Sequence, residues 1–375
     1  MRGRDVKIRR HGSAAAVVSA ALVLAACGQT GRPAARPPGS SSNGGFTIGV
    51  LMPDNNATRY QTFDRPFIEK KVEELCPACT VKYANAQGDA STQRHQLNAM
   101  LINGARVLIL DPVDAGALRR SVGQARDAGV PVVAYDRLAD GPISGFSAYD
   151  NAVTGRLQAE ALLQGMGKRA HNGEVVWLVP PTPSLPTSFP VESKVALPLL
   201  KSQGVRIDEE HGITTPVPNA QNAAAAMAAA IAGLGPHRIA GVYAIDDVVA
   251  AGAVSALKAA QVTSLPPIVA QDAELSAVQR IVKGEQYMTV YKPYEPEAGA
   301  AAAMAVALGR GEKLDGIARS TVDNLTTKDI PAVLLTPVPV TAKSVKATVV
   351  EGGTYTVEQI CTPKLTSACR KAGLI

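Results

Sequence analysis

The sequence predicts an α/β fold of two doubly wound parallel-sheet lobes, and three observations carry that prediction. Apolar strand-like runs alternate with helix-spaced segments from Phe46 to Pro293, a pattern that builds parallel sheets with helices on both faces. The alternation restarts near residue 151, and about 330 residues follow the N-terminal region, enough for two domains. The two sets also resemble each other. Arg106-Val-Leu-Ile-Leu-Asp111 parallels Ile239-Ala-Gly-Val-Tyr-Ala-Ile-Asp246, and Gly129-Val-Pro-Val-Val-Ala-Tyr-Asp136 parallels Leu265-Pro-Pro-Ile-Val-Ala-Gln-Asp272.

Along the first set, Phe46–Met52 is an apolar β-run. Arg59–Leu75 places Phe63, Phe67, Ile68, Val72 and Leu75 at helical spacing. Thr80–Ala84 is a short strand, and Asp89 is placed to cap a helix over Ser91–Ile102. Arg106–Leu110 is a buried strand, Ala115–Ala128 a helix stopped by Gly129, and Val130–Tyr135 and Ile143–Tyr149 are strands. The second set begins with a helix over Ala152–Met166 and a strand over Glu174–Val179. A Pro-rich loop, Pro180–Pro190, leads to a helix over Val191–Gln203, expected to kink or break at Pro198. Then come a strand at Val205–His211, helix Ala220–Leu234, strand Ile239–Ala244, helix Val248–Ala260, strand Pro267–Ala270, helix Ala273–Lys283 and strand Gln286–Val290.

The N-terminus reads as an export signal. Arg2, Arg4, Lys7, Arg9 and Arg10 precede an apolar run, Ala14–Ala26, that is too short to span a bilayer permanently. Leu24-Ala25-Ala26-Cys27 places small residues before a cysteine, so Cys27 is the expected lipidation site and residues 1–27 the signal peptide. Residues 28–45, rich in Gly, Ser, Pro and Arg, read as a flexible tether. The formal charge is +6, of which a net +4 lies before Cys27, so the basic pI does not argue for nucleic acid. The membrane is expected to be reached through the lipid anchor only. Cys76 and Cys79, in a C-x-x-C, and Cys361 and Cys369 read as disulfides in an exported chain, with a redox pair or free thiols as alternatives for the first two.

The functional clue is the strand ends. In open α/β sheets, ligands bind beyond the carboxyl ends of the strands. Arg59, Asp136, Arg137, Asp246, Asp272 and Lys292 fall at such positions, three positive and three negative. Such a set suits a neutral, hydroxyl-rich ligand, because a carboxylate accepts from neighbouring hydroxyls and an Arg fork donates to two. Tyr60 offers a ring for a sugar C–H face. Asp111 and Asp247 read as caps or turn residues. No G-x-G-x-x-G follows the first strand, no G-x-S-x-G occurs, and the five His are scattered without metal-ligand spacing. No enzymatic activity, metal or cofactor is therefore expected.

At these residues the chain resembles the D-xylose-binding protein family of ABC importers, a branch of the type I periplasmic sugar-binding proteins. The matching segments are Ala57-Thr-Arg59-Tyr-Gln, Tyr135-Asp-Arg137, Phe146–Gly155, Ala270-Gln-Asp272-Ala, Met288-Thr-Val-Tyr-Lys292-Pro and Leu334-Leu-Thr-Pro337. The resemblance implies sugar contacts at Arg59, Asp136, Arg137, Asp272 and Lys292, with Tyr60 where the family stacks a Trp and Asp246 where it has an Asn. Pro180–Pro190 replaces the family's polar loop, leaving Thr182, Ser184, Thr187 and Ser188 to hydrogen-bond, and Pro216–Asn219 stands where the family has a second Trp. The implied fold is the type I periplasmic binding protein, with chain crossings near Asn151, Tyr291–Pro293 and Ile330–Leu334. Lobe 1 is then 46–150 plus 293–332, and lobe 2 is 151–292 plus 333–375. The implied partners are a monosaccharide, an ABC permease and its ATPase, met by an extracytoplasmic monomer at the outer face of the cell membrane. A receptor that signals without supplying import remains the alternative.

Overall fold

A computed structural model describes residues 44–55, 59–180, 189–214 and 219–375; for Phe189 and Pro190 only the backbone is described. The signal peptide, Cys27, most of the tether, the core of the Pro-rich loop and Pro216–Pro218 lie outside the described residues.

The strands of the first set are β1 (Thr47–Met52), β2 (Thr80–Asn85), β3 (Val107–Leu110), β4 (Val132–Tyr135) and β5 (Gly145–Tyr149). Those of the second are β6 (Glu174–Leu178), β7 (Arg206–Asp208), β8 (Ile239–Ala244), β9 (Ile268–Gln271) and β10 (Met288–Tyr291). Three more follow: β11 (Ser320–Val322), β12 (Ile330–Leu335) and β13 (Val338–Val340). Among the described residues they form two sheets, ordered β11-β12-β5-β4-β3-β1-β2 and β13-β10-β9-β8-β6-β7. Only β11 and β13, each at an edge, pair antiparallel. Both inner faces are covered, so β3 is fully buried. Its Val107 and Ile109 enter one core cluster and its Leu108 and Leu110 another, as period-two alternation requires.

The helices are α1 (Arg65–Leu75), α2 (Ala90–Ile102), α3 (Ala115–Asp127), α4 (Asn151–Met166), α5 (Phe189–Ser202), α6 (Ala220–Leu234), α7 (Asp247–Ala259), α8 (Leu275–Lys283) and α9 (Tyr294–Gly309). Asp89 caps α2 by accepting from Thr92 N, and Gly129, at φ 72°, lets the chain turn out of α3. Trp177 packs in the second-lobe core, its ring 4.2 Å from that of Tyr243. No described helix is long and apolar enough to cross a membrane.

One expectation is narrowed and two are corrected. Of the kink or break expected at Pro198, the break is ruled out, since helix α5 runs through it. Proline removes one helical bond, but Ala196 and Leu200 on either side are fully buried and hold the helix to the core. Strand β7 is three residues long, since only Glu174–Val176 pair with it. The third crossing falls after Leu335, because Ala332–Leu335 pair in parallel with Phe146–Tyr149. Residues 333–335 thus belong to the first sheet, and the chain joins the second at Val338.

The crossings are tied together. Asp150 N donates to Leu335 O at 2.8 Å, and Tyr149 Oη donates to Pro293 O at 2.7 Å. The Asp150 carboxylate caps α4, accepting from Ala152 N and Val153 N. Cys76 is bonded to Cys79 and Cys361 to Cys369. The C-terminal residues pack under α8, where Cys369 is fully buried beside Ile360 and Leu374.

Candidate functional site

Asp136 follows β4 and Asp272 follows β9, the matched positions of the two repeats. Both have positive φ, 56° and 98°, in backbone regions that L-residues populate sparsely and that cluster at functional sites. In each lobe the aspartate N–H donates to the neighbouring strand or its end, Asp136 to Ser147 O at 3.0 Å and Asp272 to Val290 O at 2.8 Å. The two sheets thus present a carboxylate in the same way.

On the first lobe, Arg59 is 4 % exposed and held in a fork. Its Nε and Nη2 donate to the two Asp64 oxygens at 2.8 and 3.0 Å, and Nη2 also donates to Glu297 Oε2 at 2.9 Å and to Tyr135 Oη at 3.3 Å. Tyr135 in turn donates a short hydrogen bond to Asp64. Nη1 lies 3.5 Å from Asp136 Oδ1. Burial opposes the charge on Arg59, but Asp64 and Asp136 outweigh it and hold the guanidinium ionised. Asp136 shows the same contest: burial favours its neutral form, yet Arg59, then Lys292 and Arg137, keep its pKa below the usual carboxylate range. Arg137 Nη2 donates to Tyr60 Oη at 3.4 Å, and its Nη2 and Nε lie 3.6 Å from Asp54 and Asp111. Tyr60 itself is buried.

On the second lobe, Lys292 Nζ sits 2.7 Å from Asp272 Oδ1 and donates to Gln271 Oε1 at 3.0 Å. Burial works against the ammonium, but Asp272 and Asp136 keep its pKa above the ordinary lysine value. Asp136 and Lys292, from opposite walls, are therefore within electrostatic reach of each other. Tyr294 Oη donates to Asp272 O at 3.0 Å, fixing the turn from behind.

Asp246, expected as a ligand contact, also serves as the N-cap of α7: its Oδ1 accepts from Val249 N at 2.8 Å. Burial, with Asp272 beside it, pushes Asp246 up to about 7. Asp247, expected as a cap or turn residue, is not the cap; it is buried and accepts from Gln286, Thr289 and Glu274 N. Asp111 is not a cap either; Asp114 caps α3, while Asp111 is fully buried with neither carboxylate oxygen hydrogen-bonded.

Five residues were not singled out in the sequence: Asp64, Tyr135, Glu192, Gln271 and Glu297. Tyr135 and Gln271 precede the two key aspartates, and Asp64 lies five residues after Arg59 in an otherwise apolar helical pattern, which is a usable signal. Glu297 opens an Ala-rich helix and is fully buried. Burial, against the pull of Arg59, pushes its carboxyl up to about 8. Glu192 follows a Pro-rich loop and carries no sequence signal. No cluster of described His, Cys, Asp or Glu has the arrangement of a metal site.

A cleft lined by converging carboxylates and cations from two sheets is suited to a polyhydroxylated ligand. The model of the periplasmic binding protein domain matches residues 48–313. A D-xylose-binding periplasmic protein of Escherichia coli (strain K12) is 33% identical over 307 residues, 82% of this chain and 90% of that protein. A multiple sugar-binding periplasmic receptor of Rhizobium radiobacter is 27% identical, covering 84% of this chain and 92% of the relative. Among solved structures, an ABC transporter solute binding protein from Clostridium phytofermentans with bound β-D-glucose superposes with a TM-score of 0.75 at 23% identity. That match covers 84% of this chain and 99% of the other, and shows a shared fold.

Proposed function

The chain belongs to the periplasmic binding protein family, among the D-xylose-binding periplasmic proteins, and on that premise we propose that it binds a monosaccharide between its two lobes for an ABC importer. Asp136 and Arg137 on one wall, and Asp272 and Lys292 on the other, hydrogen-bond the hydroxyls of a xylose-like aldose. Arg59 donates from beside Asp136, and Tyr60 lies against the sugar face. The observation that carries this reading is the pair of matched aspartates, each in positive-φ backbone and each within reach of a cation from the cleft. Ligand contacts to both walls favour the closed arrangement, the hinge closure such lobes undergo.

In this reading Cys27 carries a lipid and holds the protein at the outer face of the cell membrane, where a permease and its ATPase receive the sugar. The basic n-region, the short apolar run and the small residues before Cys27 support it. The second reading is a receptor that reports sugar to a membrane partner, favoured by the name of the Rhizobium radiobacter relative.

A thermal-shift screen of the purified full-length chain against pentoses and hexoses tests the proposal. A ligand that binds only the folded state raises the melting temperature. A shift with an aldose, lost in Asp272→Ala, supports it; no shift with any sugar overturns it.

A further inference from the structure

Gln271, the last residue of β9, is 1 % exposed, and its side chain lies across the carboxyl ends of three strands. Its Nε2 donates to Ile245 O, just beyond β8, at 2.9 Å and to Glu192 Oε2 of α5 at 3.1 Å. Its Oε1 accepts from Nζ of Lys292, just beyond β10, at 3.0 Å. One buried amide therefore joins β8, β9, β10 and α5.

The partners leave the amide one orientation. A backbone carbonyl can only accept and an ammonium can only donate, so the nitrogen must face Ile245 O and the oxygen must face Lys292. Glu192 takes the second N–H. Burial favours the neutral form of that carboxyl, and a carboxyl oxygen accepts in either form. Each polar atom of the amide is thus engaged, and a buried network that is fully satisfied holds a single geometry. The placement of α5 is built in as well: a Cβ on Gly155 of α4 would lie 2.4 Å from Glu192 O, so the glycine is what lets the helix come this close.

Lysine needs such help. Its ammonium is a point charge on a flexible four-carbon stem with three rotatable donors. Asp272 Oδ1 meets Nζ at 2.7 Å and Gln271 Oε1 takes a second proton. Two anchors fix the direction of the third N–H, because the nitrogen is tetrahedral. Asp272 alone would leave the ammonium free to turn about that one contact.

We propose that Gln271 is the positioning residue for Lys292, aiming its third N–H at a sugar hydroxyl and so setting how strictly the second wall reads that hydroxyl. This rests on the sugar-binding reading and deepens it. Gln271 acts through Lys292 and does not itself touch the sugar.

The test is calorimetric titration of the full-length chain with its tightest-binding aldose and the monodeoxy analogues of that aldose. The variants are Gln271→Met, Lys292→Met and the two combined, each checked for folding by its melting temperature. Loss of a hydrogen bond to a charged group predicts aldose binding about tenfold weaker in Gln271→Met. The double variant should bind no more weakly than Lys292→Met alone, because residues that act as one unit are not additive. The hydroxyl that Lys292 reads is the one whose removal no longer matters in Lys292→Met. Gln271→Met should shrink the penalty for removing that hydroxyl and leave the penalties for the others unchanged. Gln271→Glu, which returns an acceptor to Lys292, should keep that penalty, and it serves in place of Gln271→Met where the latter is too unstable to titrate. Losses that add in the double variant, penalties that shrink alike for every hydroxyl, or a penalty lost in Gln271→Glu overturn the positioning role and leave the sugar reading standing. Failure of the wild-type chain to bind any aldose overturns both.

Discussion

On the first wall of the cleft, the arginine is met at short range: Arg59 is forked onto Asp64, touches Glu297 and leans on Asp136. On the second wall, Glu192 and Asp246 are met by amide and backbone donors, and the single lysine is already paired. The same βα repeat produced both, down to the positive-φ aspartate at the strand end. The difference teaches that the first wall is held by a buried ion-pair cluster, whereas the second is held by one ion pair and by amide and backbone donors to its other acids.

The largest effect should follow from breaking the first wall. Arg59→Met leaves two fully buried carboxylates, Asp64 and Glu297, without their cation. Breaking a buried pair in this way costs about 3–5 kcal/mol, to be read as a lower denaturation midpoint. Adding Asp64→Asn and Glu297→Gln should recover part of the loss, because the residues act as one unit. Equal instability of the single and triple variants would show that Arg59 acts through packing instead.

The pH dependence of the ligand-free chain comes next. Burial pushes Asp246 and Glu274 up to about 7 and Glu297 up to about 8, from ordinary values near 4. A carboxyl whose folded pKa is raised holds its proton in the native state while the unfolded chain releases it. Its contribution is therefore complete below about pH 4 and is lost as the pH rises to 7 or 8. The melting temperature should fall between pH 5 and pH 8. A rise over that interval would mean these carboxylates are ionised and partnered in the folded state.

Editing the second wall should act with the opposite sign to Arg59→Met. Glu192→Gln keeps an acceptor for Gln271 and removes a carboxyl that burial drives toward its neutral form, so the cost of holding its proton at pH 8 disappears and the ligand-free protein should gain about 1 kcal/mol. Destabilisation of similar size would place a stabilising cation beside Glu192. The smallest effect belongs to Asp246→Asn. Asn and Asp are nearly equivalent N-caps, so at about pH 4, where the raised Asp246 carboxyl holds its proton, unfolding should change by no more than about 0.5 kcal/mol.

Much of the fold is legible in the sequence, because full burial of both sheet faces writes itself as short apolar runs between amphipathic segments. The edges are less so: β7, β11 and β13 are three residues each and depend on a neighbour's register. At the site, Arg59, Asp136, Arg137, Asp272 and Lys292 could be read from strand ends. The choice between Asp246 and Asp247 could not, since adjacent acids at a helix start differ only in which backbone N–H each one meets. Glu192 and Glu297 were hidden for another reason. Their importance lies in what surrounds them after folding, and a lone acid in a chain carries no sign that it is destined for burial.

The central claim is that ligand is held by both lobes at once, and one calorimetric comparison tests it. The tightest-binding sugar of the wild-type chain should be titrated into Asp136→Ala and Asp272→Ala. The account predicts that each substitution alone abolishes measurable binding while the protein remains folded. Full affinity in either variant would place the ligand on one lobe, or outside the cleft, and contradict the account.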